Sequence, residues 1–487
     1  MAMIDARELP ADSVTRSDIC IIGSGPAGLT VARELADLTL DIVVLEGGGE
    51  TYTPDSQEFY RGEVTGEPYR DLAASRLRFL GGSSNHWNGY CRPLDRHDLS
   101  ERPWVRYSGW PISLDELDSA YRRAQGICEL GPWQYDGQTW ARKGSFSTLS
   151  DGPTSQTTVL QLSPPTRFGE RYGRPLAHAD LVDIHVNATA VLIERDPGSG
   201  HVTSVVTAEI DGTLRRYEAE WFILALGGLE NPRLLLASGG IGNENDLVGR
   251  FFMEHPHVSV GYLQGTTAEE LPFLVQDEHE VDGTRLRALL TLSSDFQTAE
   301  GLLNCAVALR PSTNDESNMV LNDPLHGPVT QMMAGLQGKD IRDTTTIRAV
   351  AEQQPNPRSR VMLSRSEDAL GQPRVRLHWQ LTSEDHLSIR RTTELIASEL
   401  SQHGLGRAHL AWPYPSRDII GGNHHMGTTR MHPDPQRGVV DENCRIHGTP
   451  NLYVAGSSVF PTGGFANPTL TLVAMAVRLA EHLRTIL

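Results

Sequence analysis

Three glycines, Gly23, Gly25 and Gly28, stand at G-x-G-x-x-G spacing directly after the apolar run Ile19-Cys20-Ile21-Ile22. Each suits a separate physical job. The first permits a tight turn, the second lets a pyrophosphate approach the backbone, and the third allows close helix–strand contact. A helix opening at that loop presents free N–H groups and a positive dipole end to phosphates. A second apolar run, Ile42-Val43-Val44-Leu45, ends in Glu46, at about the separation expected for a carboxylate that accepts a ribose hydroxyl. Its charge would repel a 2′-phosphate, which disfavours NADP. Flanking strands, helix and acid together read as a dinucleotide site, and the loop by itself does not choose between NAD and FAD.

Those residues need a scaffold. Residues 18–46 read as strand, turn, helix and strand, half of a doubly wound α/β unit. Ser113 and Glu116 form a capping-box pair ahead of the apolar positions Leu114, Leu117, Tyr121 and Ala124, which recur at helical spacing. Residues 132–165 are rich in Gly, Ser, Thr and Pro and read as an exposed excursion. Strand-like runs return at 181–193 and 221–226, the second followed by a Gly227-Gly228 turn. From 374 to 381 the sequence alternates, with Val375, Leu377, Trp379 and Leu381 on one face, as in a sheet with one wet side and antiparallel packing. A helix is expected from Thr382 to Gly404 and another from Pro468 to Leu483.

Composition excludes several classes. The chain has 487 residues, enough for two or more lobes. Its formal net charge of −18 argues against nucleic acid or an anionic membrane as partner. Five scattered cysteines without a CxxC pair suggest neither a disulfide framework nor a metal site, so a reducing, cytoplasmic setting is expected. The first residues lack the apolar core of a signal peptide, and no apolar run is long enough for membrane insertion.

Further segments carry a family resemblance. Leu80-Gly81-Gly82-Ser83-Ser84-Asn85-His86-Trp87-Asn88-Gly89 resembles the flavin-contacting segment of the glucose–methanol–choline (GMC) oxidoreductases. His424-His425-Met426-Gly427-Thr428, Gly456-Ser457-Ser458 and Asn467-Pro468-Thr469-Leu470-Thr471 resemble that family's active-site signature. Ala225-Leu226-Gly227-Gly228, Gly249-Arg250 and His255-Pro256 also match, and the likeness runs from about residue 17 to the end. It implies an α/β chain, α+β overall. A Rossmann-like FAD-binding domain would be built from discontinuous segments (14–115, 166–262 and 413–487), with a helix and excursion at 116–165. Residues 263–412 would form a substrate-binding lobe with a mainly antiparallel sheet and flanking helices.

The resemblance implies FAD held in extended form by Gly23, Gly25, Gly28 and Glu46, with Gly82, Ser83, Ser84, Asn85 and His86 against the flavin. Val191 would lie by the adenine, and Gly456 and Ser457 near the pyrophosphate. Two readings stand for His86. In pyranose and choline oxidases a histidine at the matching place carries the flavin covalently; the other reading is a ring packed on the flavin edge.

Oxidising an alcohol needs a base, and histidine titrates near neutral pH. The resemblance favours His424 for that role over its rival His425; in an extended stretch the two face opposite ways, so only one can meet the flavin, and the other would be a structural histidine. Asn467 would hold the substrate oxygen, because an amide does not titrate; it also suits the N-cap of the last helix. Pro468 and Thr469 would place that helix's positive end at the flavin. The implied reaction is hydride transfer from a CH–OH carbon, followed by reoxidation by dioxygen or another acceptor. The motifs favour a sugar, glycoside or cyclitol. A non-sugar alcohol of secondary metabolism, or the lyase chemistry of hydroxynitrile lyases, is the alternative. The acidic run Glu269, Glu270, Asp277, Glu278, Glu280 and Asp282 reads either as a solvated loop or as a wall for an amino sugar.

Overall fold

The computed structural model describes residues 2–149, 152–264, 272–275, 278–311, 344–414 and 418–487. At its centre lies Val14–Ile22, whose last residues, Ile19 to Ile22, are fully buried. Apolar on both faces, it pairs in parallel with Ile42–Leu45 on one side and Leu214–Leu224 on the other. Val182–Val186 and then Ala2–Asp5 continue the first side, also in parallel. Leu452–Val454 adds a parallel strand to the end of Leu214–Leu224, while Val202–Ala208 and Ala190–Arg195 run antiparallel at the far edge. Among the described residues this makes an eight-stranded, largely parallel sheet. The helices Pro26–Leu35, Leu114–Ile127 and Thr469–Ile486 share its hydrophobic core. The expected capping box is present: the Ser113 hydroxyl accepts from Glu116 N–H (3.3 Å) and the Glu116 carboxylate from Ser113 N–H (2.7 Å). Such a cap contributes about 1 kcal/mol.

A second sheet is antiparallel throughout. Its main path runs Arg407–Leu410, Pro256–Gln264, Thr344–Ala351, Cys305–Pro311, Thr284–Leu292, Ser155–Leu162 and Tyr90–Cys91. Its Leu286, Ala288, Val307 and Ile347 pack with Ile389, Ile396 and Leu400 of the helix Ser383–Gln402. The mixed α/β architecture expected from the sequence is therefore the one observed.

Local departures from the sequence reading are instructive. Residues 132–165 are not an exposed excursion. They supply the helix Gly137–Gly144 and the buried strand Ser155–Leu162, where Thr157, Thr158 and Gln161 are sheet residues. The stretch 181–193 divides into two strands at Asn187, whose φ of 57° turns the chain. Gly227 opens the helix Gly227–Ala237 instead of a simple turn. The alternating strand Pro373–Trp379 buries Val375, Leu377 and Trp379 as expected, yet it lies outside the antiparallel sheet. It pairs antiparallel with Arg360–Glu367 and parallel with Gly62–Gly66.

Candidate active site

The glycine loop links the central strand to the helix Pro26–Leu35. Gly23 has φ +110°, and a Cβ there would lie 2.6 Å from the Ala225 carbonyl. A Cβ on Gly28 would lie 2.0 Å from the Gly23 carbonyl, so helix and turn close on each other only through glycine. Gly25 differs: no protein atom lies within 4 Å of where its Cβ would be, and it lines a cavity of about 700 Å³. Glu46 reaches the same cavity. Its carboxylate accepts from the Ser24 hydroxyl (2.5 Å) and from Gly48 N–H (2.8 Å).

At the other end stand the histidines. His424 Nε2 lies 3.1 Å from Asn467 Nδ2, and His424 Nδ1 lies 2.8 Å from His255 Nδ1. Hydrogen bonding sets the tautomers. With the amide donating to Nε2, the His424 proton is on Nδ1 and is donated to His255, whose own proton on Nε2 points to the Gly463 carbonyl, 3.4 Å away. Burial, followed by His255, His257 and His425, holds the His424 ring well below the ordinary imidazole value. Burial brings His255 down to about 4. Both rings are neutral at pH 7, so an unprotonated nitrogen and an amide N–H stand side by side on the cavity wall. Two nitrogens 3.1 Å apart are both within hydrogen-bond reach of a single oxygen atom.

The backbone carrying His424 hangs on a carboxylate that sequence reasoning missed. Glu254 is fully buried and accepts N–H bonds from His255 (2.9 Å), Gly422 (3.0 Å) and His424 (3.0 Å). The Tyr69 hydroxyl also donates to it, and sits 3.0 Å from His425 Nε2. His425 thus packs against Tyr69 and Phe252, while its neighbour faces Asn467 and His255.

Comparison with known proteins decides the family. The GMC oxidoreductase profile matches residues 355–476, the stretch that contains His424, Asn467 and the chain between them. The fructose dehydrogenase large subunit of Gluconobacter japonicus is 28% identical across 96% of this chain and 97% of its own length. A C-glycoside 3-oxidase of Microbacterium trichothecenolyticum is 28% identical across 83% of this chain and 75% of its own. The chain is a GMC oxidoreductase. Its fold agrees: the crystal structure of a pyridoxine 4-oxidase (from "Mesorbium loti") superposes with a TM-score of 0.61 over 96% of this chain and 99% of that one, at 19% identity. The enzyme therefore acts on CH–OH donors, and its family implies FAD.

The oxidoreductase's cavity fits that cofactor. Gly25 leaves open the space a side chain would fill, Gly456 (φ +122°) faces it with only Ala27 Cβ within 4 Å of its own missing Cβ, and the helix Pro26–Leu35 opens between them. Val191, Gly82, Ser83, Ser84, His86, Ser457, Pro468 and Thr469 also line the cavity. Asn85 does not: its amide turns back to the carbonyls of Leu80 (2.9 Å) and Gly82 (2.9 Å). Ser83 and Ser84 likewise bond Leu77 N–H and the Gly81 carbonyl, so their side chains shape the loop. The surrounding protein, with Arg167 and Arg70, holds His86 below its ordinary value, hence neutral. Asn467 is not the N-cap of the last helix. Pro468 takes that place, and the Asn467 amide is committed to His424.

The acidic run falls elsewhere. Glu278, Glu280 and Asp282 are exposed and absent from the cavity wall, Glu278 pairing with Arg285 and Asp282 with Lys143. Glu269, Glu270 and Asp277 lie outside the described residues.

Proposed function

We propose that the enzyme oxidises a hydroxyl of a sugar, glycoside or cyclitol, with His424 as base and Asn467 as the donor that fixes the reacting oxygen. The pair of nitrogens 3.1 Å apart on the cavity wall carries this reading. A substrate oxygen beside both donates its proton to His424 Nε2 and accepts from Asn467 Nδ2. His255 accepts the His424 Nδ1 proton throughout, so Nε2 stays unprotonated, and its lone pair, met by the Asn467 amide before substrate arrives, is left to take the substrate proton. As His424 becomes an imidazolium, His255 stays as acceptor and the Gly463 carbonyl supports the far nitrogen. FAD, when bound, supplies the two-electron hydride acceptor that side chains lack, passing electrons on to dioxygen or another acceptor. Gly23, Gly25, Glu46, Gly456 and Ser457 would hold its phosphates and ribose, with Gly28 off the cavity wall and acting only by letting the helix close on the turn; Val191 would take its adenine, and the N-terminal end of Thr469–Ile486 would favour negative charge on its ring.

Fructose dehydrogenase and C-glycoside 3-oxidase among the relatives support the sugar class. Anaerobic addition of sugars and glycosides to the yellow enzyme is the test. Bleaching by members of this panel is expected, and bleaching by non-sugar alcohols alone would overturn the reading. The same proposal includes attachment of the flavin through the neutral His86 ring on the cavity wall. Acid precipitation should leave the yellow colour with the protein, and His86→Ala should release it. Five buried, unpaired cysteines support a reducing, cytoplasmic setting.

A further inference from the structure

A carboxylate accepts hydrogen bonds at both of its oxygens, whereas an amide of the same size gives up one oxygen for a donor. Glu254 uses that capacity in full. Its Oε1 accepts from His424 N–H (3.0 Å) and from the Tyr69 hydroxyl, and its Oε2 from His255 N–H (2.9 Å) and Gly422 N–H (3.0 Å). Holding the loop explains the four bonds. It does not explain what the charge does.

Few titratable groups face this carboxylate. His255 follows it in sequence, Tyr69 comes from the chain after Gly62–Gly66, and His424 and His425 come from the loop after Ile420–Gly421. Gln353, which does not titrate, accepts from Glu254 N–H (2.9 Å) and from the Trp379 indole (2.9 Å). Arg70 and Arg76 act on Tyr69, and Arg76 and His86 on His425. Glu352, another carboxylate that acts on His255, is gripped by both arms of Arg102 (2.8 and 2.5 Å). Glu254 has no such cation among the described residues, since His425 Nε2, 4.0 Å away, is neutral at pH 7.

One proton changes the charge and spares the scaffold. With Glu254 ionised, His425 Nε2–H donates to the Tyr69 oxygen (3.0 Å) and the Tyr69 hydroxyl donates to Glu254. With one proton added, both bonds reverse: Glu254 donates to Tyr69, Tyr69 donates to His425 Nε2, and His425 carries its own proton on Nδ1. All three backbone N–H groups keep their acceptor. The charge is anchored to the residue whose ring gains a proton in turnover, and opposite charges attract more strongly in a buried site than in water. We propose that Glu254 is a positioning residue whose negative charge stabilises the imidazolium forming on His424, so that the rate of alcohol oxidation follows the ionisation of Glu254 and not that of His424. This rests on His424 acting as the base and adds what tunes it.

Burial pushes Glu254 up to about 7, against the bonds from Tyr69, His424, His255 and Gly422 that lower it. It gains its charge as pH rises through that value, so the limiting rate of anaerobic flavin bleaching by glucose, fructose and benzyl alcohol should climb to a plateau above it. Infrared titration of the substrate-free holoenzyme should show a buried carboxyl band lost over the same range. Glu254→Gln should remove band and step together and lower the plateau roughly ten- to a hundredfold, the scale of one lost charge-assisted interaction. Glu254→Asp should keep the step. Tyr69→Phe, which leaves the carboxylate in place, should move band and step up by about one pH unit or more. The flavin-to-protein absorbance ratio reports that each variant is folded. A flat wild-type profile would overturn the proposal. So would a step that survives Glu254→Gln and ignores Tyr69→Phe, which would belong to Asp98, packed against Gly464 and also raised to about 7. An inactive His424→Ala beside either result keeps the base and sinks only the role of Glu254; a fully active His424→Ala sinks both.

Discussion

The two ends of the cavity are built from different materials. One end is walled largely by backbone: Gly23, Gly25 and Gly456 and the opening of the helix Pro26–Leu35, with the carboxylate of Glu46 beside them. The other end is walled by side chains that arrive from far apart in sequence: His424 and Asn467, with His255 behind His424, and Arg287, Arg310 and Arg348 of the antiparallel sheet. A backbone cradle must be rebuilt from glycines at fixed spacing wherever it occurs, so it is written locally. A side-chain wall needs only the right residue on the right face of a strand, and many sequences can meet that condition. In the function proposed above, the first end would hold the cofactor and the second could change with substrate.

The sharpest way to break this contrast is at His424. His424→Ala should lower kcat by roughly 10² to 10⁴, the usual worth of a positioned base, while leaving FAD content unchanged, because the nucleotide end does not depend on it. Stopped-flow reduction together with the protein's flavin-to-protein absorbance ratio checks both halves. Loss of flavin along with activity would show that the two ends are not separable.

A smaller effect is expected at His255, which touches no reacting atom and acts through His424. His255→Asn should reduce kcat on the order of 10- to 100-fold, the scale of a misplaced catalytic group, with little change in KM. It should also alter the acid stability. In the folded protein His255 titrates at about 4, His425 at about 3, and His424 and His257 are likewise depressed, all by burial first. Unfolded, each takes up a proton near pH 6.5. The unfolded chain then binds more protons, so the stability from these groups is full above pH 6.5 and is lost as pH falls through the folded values. Glu254, Asp98 and Asp385 work against this. Burial raises each to about 7, and the stability they contribute is lost as pH rises toward that value. The comparison that isolates the histidine is therefore between enzymes: from pH 7 to 5, denaturant midpoints should fall more steeply in the wild type than in His255→Asn.

At the backbone end the glycines divide by what a methyl group would meet. Gly25→Ala meets no protein atom within 4 Å, so apoprotein stability should hold while FAD affinity falls by on the order of tenfold or more, the equivalent of ~1–3 kcal/mol of overpacking against the cofactor. Gly28→Ala would place the methyl 2.0 Å from the Gly23 carbonyl and should destabilise the apoprotein itself, by about 2 kcal/mol or more. Chemical denaturation of the apoproteins and FAD titration separate the two effects.

The same division explains what could be read beforehand. The centre of the parallel sheet was legible because Ile19 to Ile22, Ile42 to Leu45 and 221–226 are short apolar runs, and the capped helix at Ser113 because its cap is local; the edge strand Ala2–Asp5 and the short Leu452–Val454 carried no such run long enough to mark them. Residues 132–165 were misread because Thr157, Thr158 and Gln161 look like loop residues until a sheet surrounds them. Glu254 stood beside the noted His255-Pro256 pair. Its partners Gly422 and His424 are 168 and 170 residues away, so no local pattern marks it as the anchor of that loop. Asn467 ahead of Pro468 had the local chemistry of a cap, but the helix takes Pro468 as its N-cap and the half-buried Asn467 amide bonds His424 instead. Arg287, Arg310 and Arg348 carried no signal at all, since polar residues alternating along a strand read as a solvent-facing side.

The smallest effect tests that last inversion. Charge counted along the sequence points to the acidic run near residue 280, and charge counted around the cavity points to the arginines. Glu278 and Glu280 are exposed and off the cavity wall, Glu278 in an ion pair with Arg285. Exposed pairs of this kind contribute ~0–1 kcal/mol, and across a Debye length of about 8 Å at physiological salt their field is largely screened from a ligand. Glu278→Gln with Glu280→Gln should therefore leave kcat/KM for charged and neutral sugars alike within about twofold, a change of under ~0.5 kcal/mol. A larger shift, in particular a selective loss of activity toward an amino sugar, would mean that the acidic loop reaches the bound substrate.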